Sequence, residues 1–277
     1  MKYDPTHDER GSNMVSGIDH LVILVRNLDD AVRDYQQLGF TVTRGGEHPG
    51  GTHNALVGFA NGSYLELIAF QEPEKPSDHR WYSYLALGGG LVDFALGTNN
   101  VEDELGRIQQ RGIAYRGPMP GARKRPDGQE IAWRMAWPPV ERSGDLPFMI
   151  DDITPRDLRV PSGDAAKHAN GVTGVRSLII AVRDLGEASV EFAAVTGVEP
   201  FASGSDPDLH ADTRSFQAGK QTLILAYPTA PSSPLATRIQ RMGDGPFQAI
   251  FGTDQAQPVQ ITPEQAHGAR FVLVANG

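Results

Sequence analysis

A histidine and a glutamate each stand in an apolar run where packing alone does not call for them. In Gly17-Ile18-Asp19-His20-Leu21-Val22-Ile23-Leu24-Val25, alternation along a strand puts Ile18, His20, Val22 and Leu24 on one face and Asp19, Leu21, Ile23 and Val25 on the other. His20 therefore points either into a packed core, where it hydrogen-bonds quietly, or into the mouth of a cleft, where its imidazole is available to a metal. Glu66 is flanked by leucines in Tyr64-Leu65-Glu66-Leu67-Ile68, and an unpartnered carboxylate there would be costly to desolvate. It needs a partner. A neutral imidazole and a carboxylate converging in one cleft begin a divalent site for Zn, Mn, Fe(II), Co or Ni. The alternative is a buried His–Glu hydrogen bond without metal.

Further residues are candidates for holding a substrate. In Ile131-Ala132-Trp133-Arg134-Met135-Ala136-Trp137 the tryptophan face is large and apolar, while Arg134 stands between two alanines, where a planar guanidinium can clamp a carboxylate or phosphate. Trp133, Arg134 and Tyr64 are the expected substrate-binding residues. The segment Asp78-His79-Arg80-Trp81-Tyr82 reads either as a covering loop or as a helix packing its aromatic rings. There is no cysteine, which excludes thiolate nucleophiles, disulfides and Cys-ligated clusters. The sequence also has no G-x-S-x-G elbow, H-E-x-x-H or phosphate-binding G-x-x-x-x-G-K-[ST]. A net charge of −9 with no long basic block argues against nucleic acid as a partner. No run is long and apolar enough for a membrane span and the first residues carry no apolar signal segment. The expectation is a cytoplasmic protein with a small-molecule ligand, and a homodimer is a possible assembly.

The elements that must position these groups come in repeats. Residues 17–28 read as a strand, the following DDAVRDYQQLGF as a helix closed by Gly39, and three strands follow, with an Asn61-Gly62 turn before the last. This βαβββ order recurs 157 residues later, where residues 174–185 match residues 17–28 and Phe59 and Gly62 match Phe216 and Gly219. Weaker copies start at Leu91 and near Pro246. At roughly 150 residues per domain, 277 residues make about two domains. The expected division is a flexible arm (1–16), a first domain bearing the site (17–155), a linker (156–172) and a degenerate second domain (173–277).

The opening G-[IV]-x-H-[LV]-x-[IV]-x-V-x-[ND]-L strand, the later Y-L-E-L strand, LVDFALGT, the RPDG turn, the AWR strand and PFMIDD resemble the vicinal oxygen chelate superfamily, in its glyoxalase-like branch. The resemblance implies an α+β fold of repeated βαβββ modules paired into two cupped β-sheet domains. It also implies metal ligands at His20 and Glu66, with Asp93 as a third, and Met149 at a fourth position where it is a poor ligand for a hard cation. A 2-His-1-carboxylate set would need His53, His79 or His168 in addition. The implied activity is a divalent-metal-dependent isomerase, lyase or dioxygenase with Glu66 as ligand and catalytic base. The alternative is a metal-free protein that sequesters a small molecule, as antibiotic-binding relatives do. In the second half the positions matching His20 and Glu66 read as Ser177 and Leu223, so no ligand is expected there.

Overall fold

The computed structural model describes residues 15–276. Its first half runs β1 (Val15–Leu24), α1 (Leu28–Gln37), β2 (Thr43–Glu47), β3 (Thr52–Gly58), β4 (Tyr64–Phe70), then β5 (Gly90–Thr98), α2 (Val101–Gln110), β6 (Arg116–Lys124), β7 (Glu130–Trp137) and β8 (Phe148–Asp152). A short helix α3 (Arg156–Arg159) leads on to β9 (Val172–Ala181), α4 (Leu185–Thr196), β10 (Ala202–Asp206), β11 (Ala211–Ala218) and β12 (Gln221–Pro228). The chain closes with α5 (Pro234–Met242), β13 (Gly245–Thr253), β14 (Val259–Ile261) and β15 (Phe271–Ala275). Most of the expected arm, residues 1–14, lies outside the described residues, and Val15 and Ser16 already belong to β1.

The repeated Asn/Asp before a leucine or valine has a local cause. Asn27 accepts from the N–H groups of Asp29 and Asp30, Asn100 from those of Glu102 and Asp103, and Asp184 from those of Gly186 and Glu187. Each side chain thus caps the helix that leaves the first strand of its module. Leu28 and Val101, which follow two of these caps, are buried.

The fold is α+β with two β-sheet domains. The first sheet is a closed barrel in the order β1-β4-β3-β2-β6-β7-β8-β5, with β1 parallel to β4. Closure rather than an open cup follows from a single pairing of Glu47 with Lys124, which joins β2 to β6 and leaves no free edge. The second sheet stays open, with seven strands in the order β10-β11-β12-β9-β13-β15-β14. An apolar cluster that includes Tyr35 and Phe59 from the first half and Phe216, Phe251 and Phe271 from the second makes one core across both. Among the described residues no helix is long and apolar enough to cross a membrane.

The register of β1 against β5 slips at three points, and the second of them matters. Against β5 the register slips between Ile18 and His20, leaving Asp19 as the extra residue of a bulge. Ile18 therefore packs with Leu21 and Ile23 in the shared core, while Val22 and Leu24 line the barrel interior with His20. The expectation that Ile18 shares a face with His20 is corrected by this bulge, and Asp19 is turned so that its carboxylate meets the His20 ring.

On the corresponding face of the second sheet α5 takes the place of the cavity. Leu235 and Ile239 pack there on Ile179, Ala181 and Ala226. Strand register also moves the equivalent of Glu66. Val22 pairs with Glu66, and its counterpart Ile179 pairs with Ile224, so Ile224 rather than Leu223 stands in that place. Leu235 is fully buried, and Leu235→Ala is expected to cost about 2–5 kcal/mol in urea denaturation. A loss below about 1 kcal/mol would show that α5 does not fill this face.

Candidate functional site

The barrel interior holds a cavity of 270 Å³. One part of its lining is aromatic and apolar. All three tryptophans of the chain, Trp81, Trp133 and Trp137, line it together with Phe148, and the Trp137 and Phe148 rings stack with centroids 3.9 Å apart. Gly121 on β6 lets Trp133 lie across the strand: a Cβ there would come within 2.2 Å of the indole nitrogen.

The polar end is built around His20, which is 2% exposed. Its Nδ1–H donates to Asp19 Oδ1 at 2.7 Å, and Tyr64 stacks on its ring at 4.5 Å. Burial pushes the Asp19 carboxyl up, but Arg159, His20 and Arg156 outweigh burial and hold it well below the usual carboxylate range. The carboxylate beside Nδ1 accepts the hydrogen bond, so that nitrogen bears a proton. Nε2 lies 3.6 Å from Glu66 Oε2.

Glu66 Oε1 accepts from Asn54 Nδ2 at 2.6 Å, and His48 Nε2 lies 3.8 Å from the same oxygen. Burial raises its carboxyl, and His20, His48, the Asn54 amide and Arg123 together overcome that and leave it below its ordinary value. Glu66 is therefore ionised at neutral pH. Burial pushes the His48 imidazole down, and burial followed by Arg80 pushes that of His79 down to about 4. Both imidazoles lining the mouth are neutral at pH 7.

Behind this end, Arg159 of α3 spans the floor. It donates to both oxygens of Asp19 at 2.9 and 3.1 Å and to the Tyr64 hydroxyl at 2.7 Å. Arg156 also donates to Asp19. The segment after the barrel thus fixes both the hydrogen-bond partner and the stacking partner of His20.

Of the residues expected from sequence, His20, Glu66, Tyr64 and Trp133 come together at the cavity. Asp93 and Arg134 do not. The Asp93 carboxylate accepts from Trp81 Nε1 at 2.8 Å and from its neighbour's backbone N–H at 2.9 Å. It anchors the segment that covers the cavity instead of facing His20 and Glu66. Arg134 alternates with the inward-facing Trp133 and Met135, and on the opposite face it is held by Asp151 at 3.0 Å and by Glu102. His53 lies outside the cavity lining, and His168 uses both ring nitrogens on the backbone, at Thr41 N–H and the Gly58 carbonyl. The set His20–Glu66–Asp93 is therefore not assembled as a metal site, and among the described residues no group of three or more His, Cys, Asp or Glu is arranged to hold an ion.

Sequence reasoning missed Asp19, His48, Asn54, Arg123 and Arg159, and read Arg80 only as part of a covering loop or a packed helix. Only Asp19 left a usable signal, because a carboxylate inside an apolar strand demands a cationic partner.

The chain matches the model of the glyoxalase-like domain over residues 18–196. It belongs to that family, within the vicinal oxygen chelate superfamily. A hypothetical protein from Staphylococcus aureus shares the fold at a TM-score of 0.70 and 14% identity, covering 94% of this chain and 99% of its own. A mutant of 4-hydroxymandelate synthase from Streptomyces coelicolor does so at 0.64 and 14%, covering 95% and 94%. No curated protein sequence matches the chain.

Asp93 gives this glyoxalase-like barrel a pH signature. Burial pushes its carboxyl up to about 6, against the pull of Arg80 and its two hydrogen-bond donors, whereas an unfolded aspartate titrates near 4. Between these values the folded chain binds more protons than the unfolded one. The stability Asp93 contributes is full below about pH 4 and is lost as pH rises through about 6. Thermal melts from pH 4 to 7 should show this slope in the wild type and its loss in Asp93→Asn. An unchanged slope in the variant would mean that Asp93 titrates normally.

Proposed function

We propose that the chain is an enzyme that binds one small oxygen-bearing molecule in the barrel cavity and moves a proton on it at the His20–Glu66 pair. One observation supports this above the others: the buried His20 ring stands between the Asp19 and Glu66 carboxylates, at 2.7 and 3.6 Å, at the end of an apolar cavity. Glu66 takes the substrate proton as general base. His20 Nε2 is near enough to share it, and the imidazolium that results lies between two carboxylates. The oxyanion left on the substrate has the N–H groups of Arg80 and of the neutral imidazoles on the lining as donors.

A second reading rests on His48 standing 3.8 Å from Glu66. In it, a divalent cation held by His20 and Glu66 supplies Lewis-acid stabilisation of the same oxyanion, the chemistry of the isomerases, lyases and dioxygenases that the family resemblance implies. The metal-free sequestering protein is the third outcome.

Because all three tryptophans line the cavity, intrinsic fluorescence reports directly on its occupancy. A panel of small hydroxy acids, oxo acids and aldehydes, titrated by fluorescence and followed by proton NMR in D₂O for exchange or conversion, tests the proposal. Glu66→Gln should keep fluorescence-detected binding and lose about 10²–10⁴-fold in turnover. A rate that returns only when Mn²⁺, Zn²⁺ or Ni²⁺ is added to chelator-treated protein favours the second reading. Saturable binding without turnover, equal in wild type and variant, overturns the enzyme reading.

A further inference from the structure

Arg123 is a buried cation without a counter-ion of its own. It lines the cavity and is 4% exposed. One Nη donates to Asn54 Oδ1 at 3.4 Å and the other to the Arg159 carbonyl at 3.0 Å, while its Nε has no partner. Both acceptors are neutral dipoles, and no acid among the described residues forms an ion pair with it. Buried guanidinium groups are ordinarily matched by a carboxylate or phosphate. The other arginines around the cavity meet that rule: Arg159 has Asp19 and Asp152, and Arg80 has Asp93 at 3.9 Å. No direct hydrogen bond joins Glu66 to Arg123; the Asn54 amide stands between them, accepting from the arginine and donating to the glutamate.

The rest of the cavity describes what would accompany an anionic group. The lining also carries indole and phenyl rings, and the Arg80 guanidinium lies over Trp137, 4.0 Å from the ring centroid. A volume of 270 Å³ is at or below the small end of ligand pockets, which are about 300–1,000 Å³. A single ring with one acidic group suits that volume.

We propose that the barrel cavity selects a single-ring aromatic carboxylate, with its carboxylate on Arg123 and its ring against the tryptophan wall. This rests on the reading of the barrel cavity as the functional site and narrows its substrate class.

The test compares benzoate with benzamide, its uncharged near-isostere, by fluorescence titration of the full chain at low ionic strength. Benzoate should bind at least ten-fold more tightly than benzamide, and added salt should reduce the difference. Arg123→Met should abolish the preference while leaving benzamide binding within about three-fold of wild type. Arg123→Lys keeps the charge without the planar fork and should retain part of the preference; it also supplies the answer if the methionine variant melts before it can be titrated. Equal binding of benzoate and benzamide, or an anion preference that survives in both variants, would overturn the proposal while leaving a ligand-binding cavity. Failure of both probes to perturb fluorescence at millimolar concentration would count against the proposal, and if the wider acid and aldehyde panel also failed, against the cavity as the site.

Discussion

The site depends on one buried carboxylate. Asp19 occupies a bulge in β1, where a regular strand would have sent it to the opposite face from His20. The bulge costs a ladder position and brings an anion into the protein interior, which is tolerable only with strong compensation. Arg159 and Arg156 supply it from a short helix more than 130 residues away in sequence. The same contacts orient His20, seat Tyr64 on its ring and tie the segment after β8 back onto the barrel. Removing one partner would leave an uncompensated charge, so these groups behave as a unit rather than as separate contacts.

The two halves show how one repeated plan yields a site in one place and a scaffold in the other. Both sheets place a parallel strand pair at the centre, β1 with β4 and β9 with β12. In the first half that pair carries His20 and Glu66 into a closed barrel lined by rings. In the second, Ser177 and Ile224 stand in their places and α5 packs its leucine and isoleucine side chains over that face. The loss of polar groups and the filling of the space are consistent with each other, since an empty apolar face would have been costly to leave exposed.

Asp93 and Arg134 illustrate how a correct residue type can serve a different purpose. Asp93 sits at the strand position the resemblance marks for a ligand, yet Trp81 of the covering segment reaches it and turns it into an anchor. Arg134 has small neighbours on its face, but that face is the outside of the barrel, where Asp151 already waits. The arginines that do reach the cavity, Arg80, Arg123 and Arg159, come from stretches that read as a loop, a short basic cluster and a linker.

What the sequence determined by itself was whatever depends on near neighbours and on repetition. The helix that follows the first strand and its stop at Gly39 were legible locally, although the cap is Asn27, two residues before Asp29, and the repeat at 157 residues established the modules. Apolar flanks around His20 and Glu66 marked both as groups in need of partners, because desolvating them alone is expensive. The tertiary structure alone decided which partners they received. A bulge shifts side chains by one position without any signature in composition, and closure of the barrel rests on one pairing of Glu47 with Lys124. Arg159 and Arg123 gain their roles only once distant backbone has brought them to Asp19 and Asn54, since a guanidinium in a linker or a basic triplet looks like any surface charge until something buries it.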